Sequence, residues 1–281
     1  MRYRAALCLI SLLAGAVAAA AAARPERPPV LYVPFDDSLN AETAAGGKAP
    51  LYSDAAIGFT EGIRGRAVVL RGEGVAYPSR GHLDRRQGTI LFWFRGFDPG
   101  DLTARRHARQ KIFFEVGHWN EAMRLYWPGN GQRMLFYEFF CMGKNVNQCH
   151  CGFFEPLDRW VSPEKRPLSW FGPEEWHHIA VTWQDTREAR FYFDGRWVFT
   201  VKDIRMPAEL SRDLVLGRGT PELVLDELRV YGAPLSSDEI GALYGEVNRE
   251  RRKRLISASR AEEKSVPETE RRPSLLKEPW Y

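Results

Sequence analysis

Beyond its first 23 residues, the 281-residue chain has no apolar run long enough to cross a membrane as a helix. It also lacks three motifs of enzymatic chemistry: the nucleophile elbow of Ser-His-Asp hydrolases, the phosphate-binding P-loop and the zinc-binding H-E-x-x-H helix. We therefore predict no transmembrane segment in the mature chain, and none of the enzyme classes that these motifs define.

The body of the chain lacks an excess of charge of either sign. Of the 40 Lys and Arg residues, 28 fall between positions 24 and 246, against 30 of the 36 Asp and Glu residues. The basic excess lies at the ends, and residues 247–281 carry ten Lys or Arg and six Glu. Because a nucleic-acid-binding domain presents a basic face, we predict no nucleic-acid partner.

The first 23 residues have the pattern of a cleavable signal peptide. Arg2 and Arg4 precede an uncharged apolar run from Leu7 to Ala23 that closes in a series of alanines. A retained membrane anchor is the alternative, but the second half of the run holds only Gly, Ala and Val, which partition weakly into lipid. We predict cleavage near Ala23 and a mature protein that is secreted, periplasmic or at the cell surface.

Cysteine is scarce, and three of the four cysteines lie within eleven positions of each other. Cys8 leaves with the signal peptide, so that Cys141, Cys149 and Cys151 remain. In an oxidising compartment these three predict one disulfide and one free thiol. A metal site that adds His150 and a set of three free thiols are the alternatives, although zinc ligands usually stand further apart than Cys149 and Cys151.

Short runs of period two make up most of the chain after the signal peptide. In the run GTILFWFRG, Ile90, Phe92 and Phe94 alternate with a second set of side chains, as in a strand with one buried face. Asp194 and Gly195 join two further runs and are typical of a tight β-hairpin. Many short strands without alternating helices predict an all-β protein, a two-sheet antiparallel sandwich.

One short helix and a polar tail follow the last strand. Ser236 and Glu239 form a capping box, and Ile240 and Leu243 follow at helical spacing. Residues 247–281 are too poor in apolar side chains to build a core, which predicts a largely disordered tail. The expected organisation is a signal peptide at 1–23, one sandwich domain at 24–246 and the basic tail at 247–281.

Four segments of the chain occur in the same order as the sequence segments of a known family. They are LYVPFDDSLNAETAAGG, GIRGRAVVLRGEGVAYP with the following GTILFWFR, EEWHHIAVTWQDTREARFYFDGRWV, and LVLDELRVYGAPLSSDEIGALY. From Leu31 to about Tyr244 they resemble the laminin-G-like jelly-roll family of the concanavalin A-like lectin/glucanase superfamily. The resemblance implies a jelly-roll fold more firmly than an activity, because fold does not determine function.

The resemblance also bears on metal binding and on the strand aromatics. Relatives often hold a structural calcium, which implies one calcium site at Asp36, Asp37 and Asp226, although the first two could simply form a turn. Tryptophans and histidines on the strands are expected to be packed in the interior, and the histidines hydrogen-bonded, with no catalytic role. These residues are Trp93, Trp176, Trp183, His177 and His178. Gly62 and Gly65 are expected to adopt positive φ in a turn.

The sequence departs from the family pattern between 139 and 173, where a long segment replaces a quick crossing between strands. A loop of this length in a compact domain is usually functional or disordered. Aromatic rings stack on sugar faces, so exposed aromatic residues are the candidate ligand-binding residues. They are Trp160 and Trp170 in the long segment, together with Trp119, Tyr126 and Trp127.

The leading hypothesis is an exported, non-catalytic module that binds carbohydrate. The first alternative is a structural or assembly subunit that binds a protein partner, such as a cell-surface protein, through residues 139–173 and the tail. The second is a glycoside hydrolase or lyase, which needs two carboxylates that flank the scissile bond. Laminarinase-type relatives supply these as E-x-D-x-E, which this chain lacks, and the adjacent Asp226 and Glu227 are expected to point to opposite faces of their strand.

Overall fold

The computed structural model describes residues 25–96, 111–118, 121–127, 134–140, 150–156, 174–184, 188–202, 204, 210 and 213–265. Within these residues the chain forms two antiparallel sheets and one helix. The predicted all-β, two-sheet sandwich is confirmed. The predicted signal peptide lies outside the described residues.

The first sheet has nine strands. Its main path runs in the order β14 (Arg196–Lys202), β13 (Glu188–Phe193), β12 (His177–Gln184), β7 (Gln87–Arg95), β16 (Thr220–Tyr231), β1 (Leu31–Val33) and β2 (Thr43–Ala44). In addition, β5 (Arg66–Gly72) pairs with β16, and β4 (Gly58–Glu61) pairs with β5.

The second sheet has seven strands. Their order is β11 (His150–Pro156), β10 (Met134–Phe140), β9 (Glu121–Trp127), β8 (Lys111–His118), β15 (Asp213–Leu216), β6 (Val75–Pro78) and β3 (Tyr52–Ser53). For β10 and β11 only the backbone is described.

The main core lies between the two sheets. Because side chains alternate along a strand, Phe92 and Phe94 of β7 point inward, as does Ile179, which pairs with Phe92 on β12. From the second sheet, Phe113 and Phe114 of β8 meet Phe92 with ring centroids 6.1 and 6.4 Å away. Burial of each such ring contributes about 1.5–3 kcal/mol to stability.

The helix α1 (Ser237–Ser265) covers the outer face of the first sheet. Trp93 of β7 stacks on Tyr244 of the helix at a centroid distance of 5.3 Å and an angle of 11°. The predicted capping box is confirmed: the Ser236 amide donates to Glu239 Oε2 at 2.7 Å, and the Glu239 amide donates to Ser236 Oγ at 3.3 Å.

The helix is longer than the sequence predicted. Its second half, predicted as the start of a disordered tail, remains helical as far as Ser265. Arg, Lys, Glu and Ala dominate this half, and all four are good helix formers that need no buried face. The expectation was wrong because it relied on apolar periodicity alone. Residues 266–281 lie outside the described residues.

The segment 139–173 was expected to be one long loop, but part of it forms a strand. Residues His150–Pro156 form β11, which pairs antiparallel with β10 over its whole length. Aromatic residues at 153 and 154 favour an extended backbone, and pairing with β10 satisfies one edge of it. Residues 141–149 and 157–173 lie outside the described residues. Separately, none of the described helical residues forms a helix that is long and apolar enough to span a bilayer.

Candidate functional site

The adjacent carboxylates of β16 lie on the same face of the strand. Leu225 and Leu228, on either side of them, both point into the core between the sheets. Two residues instead of one therefore separate successive core positions, and the pairing with β7 shifts between Asp226 and Arg229. Glu227 has a φ of 55°, as an inserted residue in a bulge can have. The prediction that the two carboxylates point to opposite faces is wrong.

Both carboxylates are enclosed by donors. Asp226 is 0 % and Glu227 1 % exposed. Glu227 Oε2 accepts hydrogen bonds from Arg229 Nη2 at 2.6 Å and Arg64 Nη1 at 3.1 Å, and Tyr32 donates its hydroxyl to Oε1 at 2.9 Å. Asp226 accepts the amides of Glu227 at 2.8 Å and Arg64 at 3.1 Å. Each of the four carboxylate oxygens therefore already has a partner within the protein.

Burial is the largest influence on the pKa values of Asp226 and Glu227. It raises the pKa of Asp226 to about 8, against the opposing effect of the two amides that donate to it. Burial also raises the pKa of Glu227, while the charges of Arg229 and Arg64 oppose the rise. The negative charge of Asp36 raises both pKa values further.

Two glycines allow the turn before β5 to approach the carboxylates. A Cβ on Gly62 would stand 2.5 Å from Asp226 Oδ2, so a side chain there would displace the carboxylate. Gly65 has a φ of 59°, and a Cβ there would collide with Asp36 Oδ1. The expectation of positive φ is confirmed for Gly65, whereas Gly62 is needed for the close approach.

The carboxylate cluster also fastens the helix to the sheet. Arg64 Nη2 lies 3.4 Å from Glu246 Oε1 and 2.6 Å from Glu250 Oε2 on α1. Arg254, one turn further along the helix, donates to the carbonyl of Ile63. The arrangement binds two parts of the chain together and leaves no open carboxylate for a substrate.

The three carboxylates expected to bind calcium each accept hydrogen bonds from the protein. Asp36 Oδ1 accepts the Arg66 amide at 2.7 Å, and Asp37 Oδ1 accepts Arg66 Nε at 3.1 Å. Asp226 is held by the amides of Arg64 and Glu227. Within the described parts of the chain, no three His, Cys, Asp or Glu side chains are arranged to hold a metal ion. Calcium binding stays a prediction, and its ligands would have to exchange these partners for the ion.

The five candidate ligand-binding aromatic residues are only partly described. Trp119, Trp160 and Trp170 lie outside the described residues, and Trp127 ends β9 without a described side chain. Tyr126 is 7 % exposed; it packs against Ile112, and the Arg124 guanidinium lies 4.6 Å from its ring centroid. Tyr126 is thus the one member of the five with a described side chain, and its ring is mostly covered.

The cysteine prediction falls almost entirely outside the described residues. Cys141 and Cys149 are not described, and Cys151 lies in β11 opposite Phe139 of β10, without a described side chain. The pairing of these cysteines stays a prediction.

The tryptophans expected in the interior are buried. Trp183 is in the core and donates Nε1 to the Asp84 carbonyl at 2.8 Å, and Trp93 and Trp176 lie between the first sheet and the helix. The histidines differ from each other. His177 Nδ1 is 3.0 Å from Asp194 Oδ2, as a hydrogen-bonded structural histidine should be.

His178 contradicts the expectation of a hydrogen-bonded histidine. Its imidazole lies between Trp93 and Tyr244, at centroid distances of 5.2 and 5.8 Å. Neither of its ring nitrogens has a hydrogen-bond partner among the described residues. Burial, with a smaller effect from Arg229, lowers the pKa of His178 to about 3. The neutral ring therefore acts as an aromatic spacer between sheet and helix.

An exposed aromatic residue that the sequence reasoning missed lies on the edge strand β14. Trp197 is 56 % exposed, and its Nε1 donates to Thr200 Oγ1 at 3.1 Å. It pairs with Tyr192, which faces the helix, so Trp197 lies on the same face at the border of the sheet. The Asp194-Gly195 turn predicts the hairpin but not which of its strands lies at the edge, so the sequence held no signal for this exposure.

The chain is similar to one protein family and to several solved structures. A laminin-G family model, described as the Concanavalin A-like lectin/glucanases superfamily, matches residues 168–241. The predicted resemblance is confirmed. None of the curated proteins compared matches the chain.

Several solved structures share the fold of this superfamily with the chain. The binding domain of botulinum neurotoxin serotype G has a TM-score of 0.55 at 12 % identity, over 77 % of this chain and 50 % of that one. The binding domain of Paraclostridial Mosquitocidal Protein 1 has a TM-score of 0.57 at 13 % identity, over 77 % of this chain and 51 % of that one. The chain thus spans about half the length of these structures, and at such identity the likeness concerns the fold alone.

Proposed function

We propose that the mature chain is a non-catalytic recognition module that acts outside the cytoplasm and binds carbohydrate. The observation that carries this proposal is Trp197, a large indole exposed at 56 % on the border of the sandwich. The hydrogen bond from its Nε1 to Thr200 holds the ring in one orientation. A ring fixed before binding loses less conformational entropy when a sugar stacks on it.

Two further features support recognition without catalysis. The adjacent carboxylates Asp226 and Glu227 have all their oxygens engaged under Arg64 and the helix, so they are unavailable as an acid and base pair. The chain also shares its fold with the receptor binding domain of botulinum neurotoxin type G.

A glycan array with the mature protein tests the proposal. Trp197→Ala should lower binding of the recognised glycans by roughly two- to tenfold, because aromatic stacking contributes about 0.5–1.5 kcal/mol. Trp197→Phe should retain much of the signal, and Leu51→Ala, an exposed apolar residue elsewhere, should change nothing. An array on which the wild-type protein binds no glycan, with or without calcium, would refute carbohydrate binding.

The five aromatic residues predicted from the sequence belong to the same experiment. Trp119, Tyr126, Trp127, Trp160 and Trp170 are each replaced by alanine and compared with Trp197→Ala. Loss of binding in one of them with a normal melting temperature would add that residue to the sugar surface, and for Tyr126 or Trp127 it would extend the surface to the second sheet. Export is tested separately, because the intact mass of the protein outside the cytoplasm should lack residues 1–23.

An assembly subunit is the second candidate function, in which the loop residues of 139–173 and the C-terminal part of the chain bind a protein partner. It is favoured by the exposed, basic second half of α1, where Arg252 and Lys253 precede Ile256, which is 47 % exposed. Cross-linking in the producing cell should then give a defined complex that Ile256→Asp abolishes. A protein that stays monomeric under cross-linking would exclude this candidate.

A further inference from the structure

A pocket of about 270 Å³ lies between the helix α1 and the first sheet, where β4, β7 and the start of β12 meet. Its sheet side is formed by Glu61, Arg95 and Trp176, and its helix side by Arg251, Arg254 and Leu255. The volume is slightly below the range of about 300–1,000 Å³ for small-molecule sites. It suits a single ring with its substituents.

The sheet side of the pocket is held rigidly. The Arg95 guanidinium lies over the Trp176 ring, 5.2 Å from its centroid. Arg95 Nη1 is paired with Glu174 at 2.9 Å, and Arg95 Nη2 donates to Thr60 Oγ1 at 3.2 Å. Trp176 itself is 9 % exposed, so its indole forms a firm wall.

The helix side of the pocket offers a cation with free donors. Arg254 is anchored through its donation to the Ile63 carbonyl. Arg251, one turn before Leu255 on the same side of the helix, has no hydrogen-bond or ion-pair partner among the described residues. A guanidinium has five donors, and in a pocket it favours a planar or tetrahedral oxyanion.

The charges around the pocket favour an anion. Three arginines line it against two glutamates, and Glu174 is already neutralised by Arg95. Arg251 and Arg254 therefore face one carboxylate, that of Glu61. Neighbouring basic residues of the helix, Arg249, Arg252 and Lys253 among them, raise the potential further.

We propose that this pocket binds one acidic sugar residue, with its carboxylate on Arg251 and its ring against Trp176 and Leu255. The remaining donors and the Glu61 carboxylate would read the sugar hydroxyls. The inference that the anionic group belongs to a sugar rests on the proposed function. The anion preference itself rests only on the pocket.

Titration with a trigalacturonate and with its fully methyl-esterified form tests the proposal, since the two ligands differ in charge and share the rings. The free acid should bind the wild-type protein, and the ester at least about tenfold more weakly, because a charge-assisted hydrogen bond is lost. Affinity should also fall as salt increases.

Variants of the helix locate the site. Arg251→Gln should weaken trigalacturonate binding by about tenfold or more, and Arg252→Gln, with the same loss of charge one residue away, should leave it unchanged. Ala258→Phe, at another residue that lines the pocket, should block it, whereas Ser257→Phe should not. All four positions lie on the exposed or half-exposed side of α1, so each variant should melt as the wild type does.

The outcomes separate this proposal from the proposed function. Equal binding of the acid and the ester, or equal loss in Arg251→Gln and Arg252→Gln, would overturn the pocket as the acidic-sugar site. Inorganic sulfate that competes as well as trigalacturonate would overturn the sugar class. In each case glycan binding that depends on Trp197 would leave the proposed function in place.

Discussion

Asp226 and Glu227 occupy the most unfavourable environment for a charge among the described residues of β16, because both are buried and adjacent. The desolvation of a buried carboxylate costs several kcal/mol, which Arg64 and Arg229 roughly offset for Glu227, whereas Asp226 has only two backbone amides as partners. A buried cluster of this kind therefore contributes little net stability compared with apolar packing. We infer that its value lies in position, since Arg64 joins Glu227 of the sheet to Glu246 and Glu250 of the helix.

Replacement of Arg64 by methionine should destabilise the protein by about 1.5–3 kcal/mol, because Glu227 loses one of its two arginine partners and keeps Arg229. Urea denaturation measures the effect. Arg66→Met is the matched control: its partner Asp37 is exposed, so its loss should cost under about 1 kcal/mol. Equal effects of the two substitutions would show that Glu227 does not depend on Arg64.

The pH dependence of stability should report on Asp226. Its pKa of about 8 in the folded protein exceeds that of an unfolded aspartate, about 3.9. Between these values the folded state binds more protons, so the free energy of unfolding falls as pH rises from about 4 to about 8. His178, whose folded pKa of about 3 lies below its unfolded value, acts in the opposite direction up to about pH 6.5.

The comparison of wild type with Asp226→Asn separates the two groups, because His178 is common to both. The stability advantage of the wild type should shrink steadily between pH 5 and pH 8, as measured by urea denaturation at each pH. A constant difference across that range would mean that Asp226 is ionised in the folded protein, held by its two amide donors.

At the scale of elements, the described contacts of α1 with the sheet and the turn before β5 end at Arg254. Ile240, Leu243 and Val247 pack on the sheet, and Glu250 and Arg254 add polar contacts, whereas the side chains of residues 255–260 are exposed. Truncation after Ser257 should therefore leave the melting temperature nearly unchanged. Truncation after Val247 should lower it by several degrees, since about 1 kcal/mol corresponds to 2–4 °C in a domain of this size. A marked drop for the longer variant would show that the residues near Trp280 dock back onto the domain.

The register of β10 and β11 bears on the disulfide prediction. Phe140 pairs with His150, and Phe139 pairs with Cys151. Cys141 follows Phe140 and Cys149 precedes His150 in the sequence, so the same register continued by one residue would place these two cysteines opposite each other. Directly opposite residues of an antiparallel pair have the separation that a disulfide needs. We predict that Cys141 pairs with Cys149 and that Cys151 is the free thiol. Peptide mapping without reduction identifies the pair; a Cys141–Cys151 peptide, or three free thiols, would contradict it.

How far the sequence could predict these elements depends on which interaction forms them. The strands around Phe92 and Ile179 were predictable because one buried face imposes period two. The bulge at Glu227 was not predictable. Two adjacent acidic residues fit a regular strand as well as a bulged one, and only the core positions on both sides distinguish the two. The exposed Trp197 was missed for a related reason: its exposure depends on which strand lies at the edge, and that is a property of the sheet order.

On the scale of the whole molecule, α1 decides which surfaces stay open. It covers the middle of the outer face of the first sheet, so that Trp197 at one border and the pocket at Arg95 and Arg251 remain accessible. Both lie on the helix side of the sandwich, which the sequence did not single out. Of the aromatic residues predicted from the sequence, Tyr126 and Trp127 belong to β9 of the second sheet, so their variants and those of Trp197 examine different sheets.

The mature protein should bind glycans without cleaving them. Among the described residues the closely spaced carboxylates of β16 are engaged by Arg64, Arg229 and backbone amides, and a glycosidase needs two carboxyl groups free to flank the bond. Incubation with β-glucans, galactans and sulfated polysaccharides should therefore release no reducing ends. If sugar is released, Glu138→Gln on β10 is the first variant to examine, with Glu227→Gln as the comparison. Activity that disappears with Glu138→Gln and survives Glu227→Gln would place a catalytic pair on the second sheet, and the recognition module would be an enzyme.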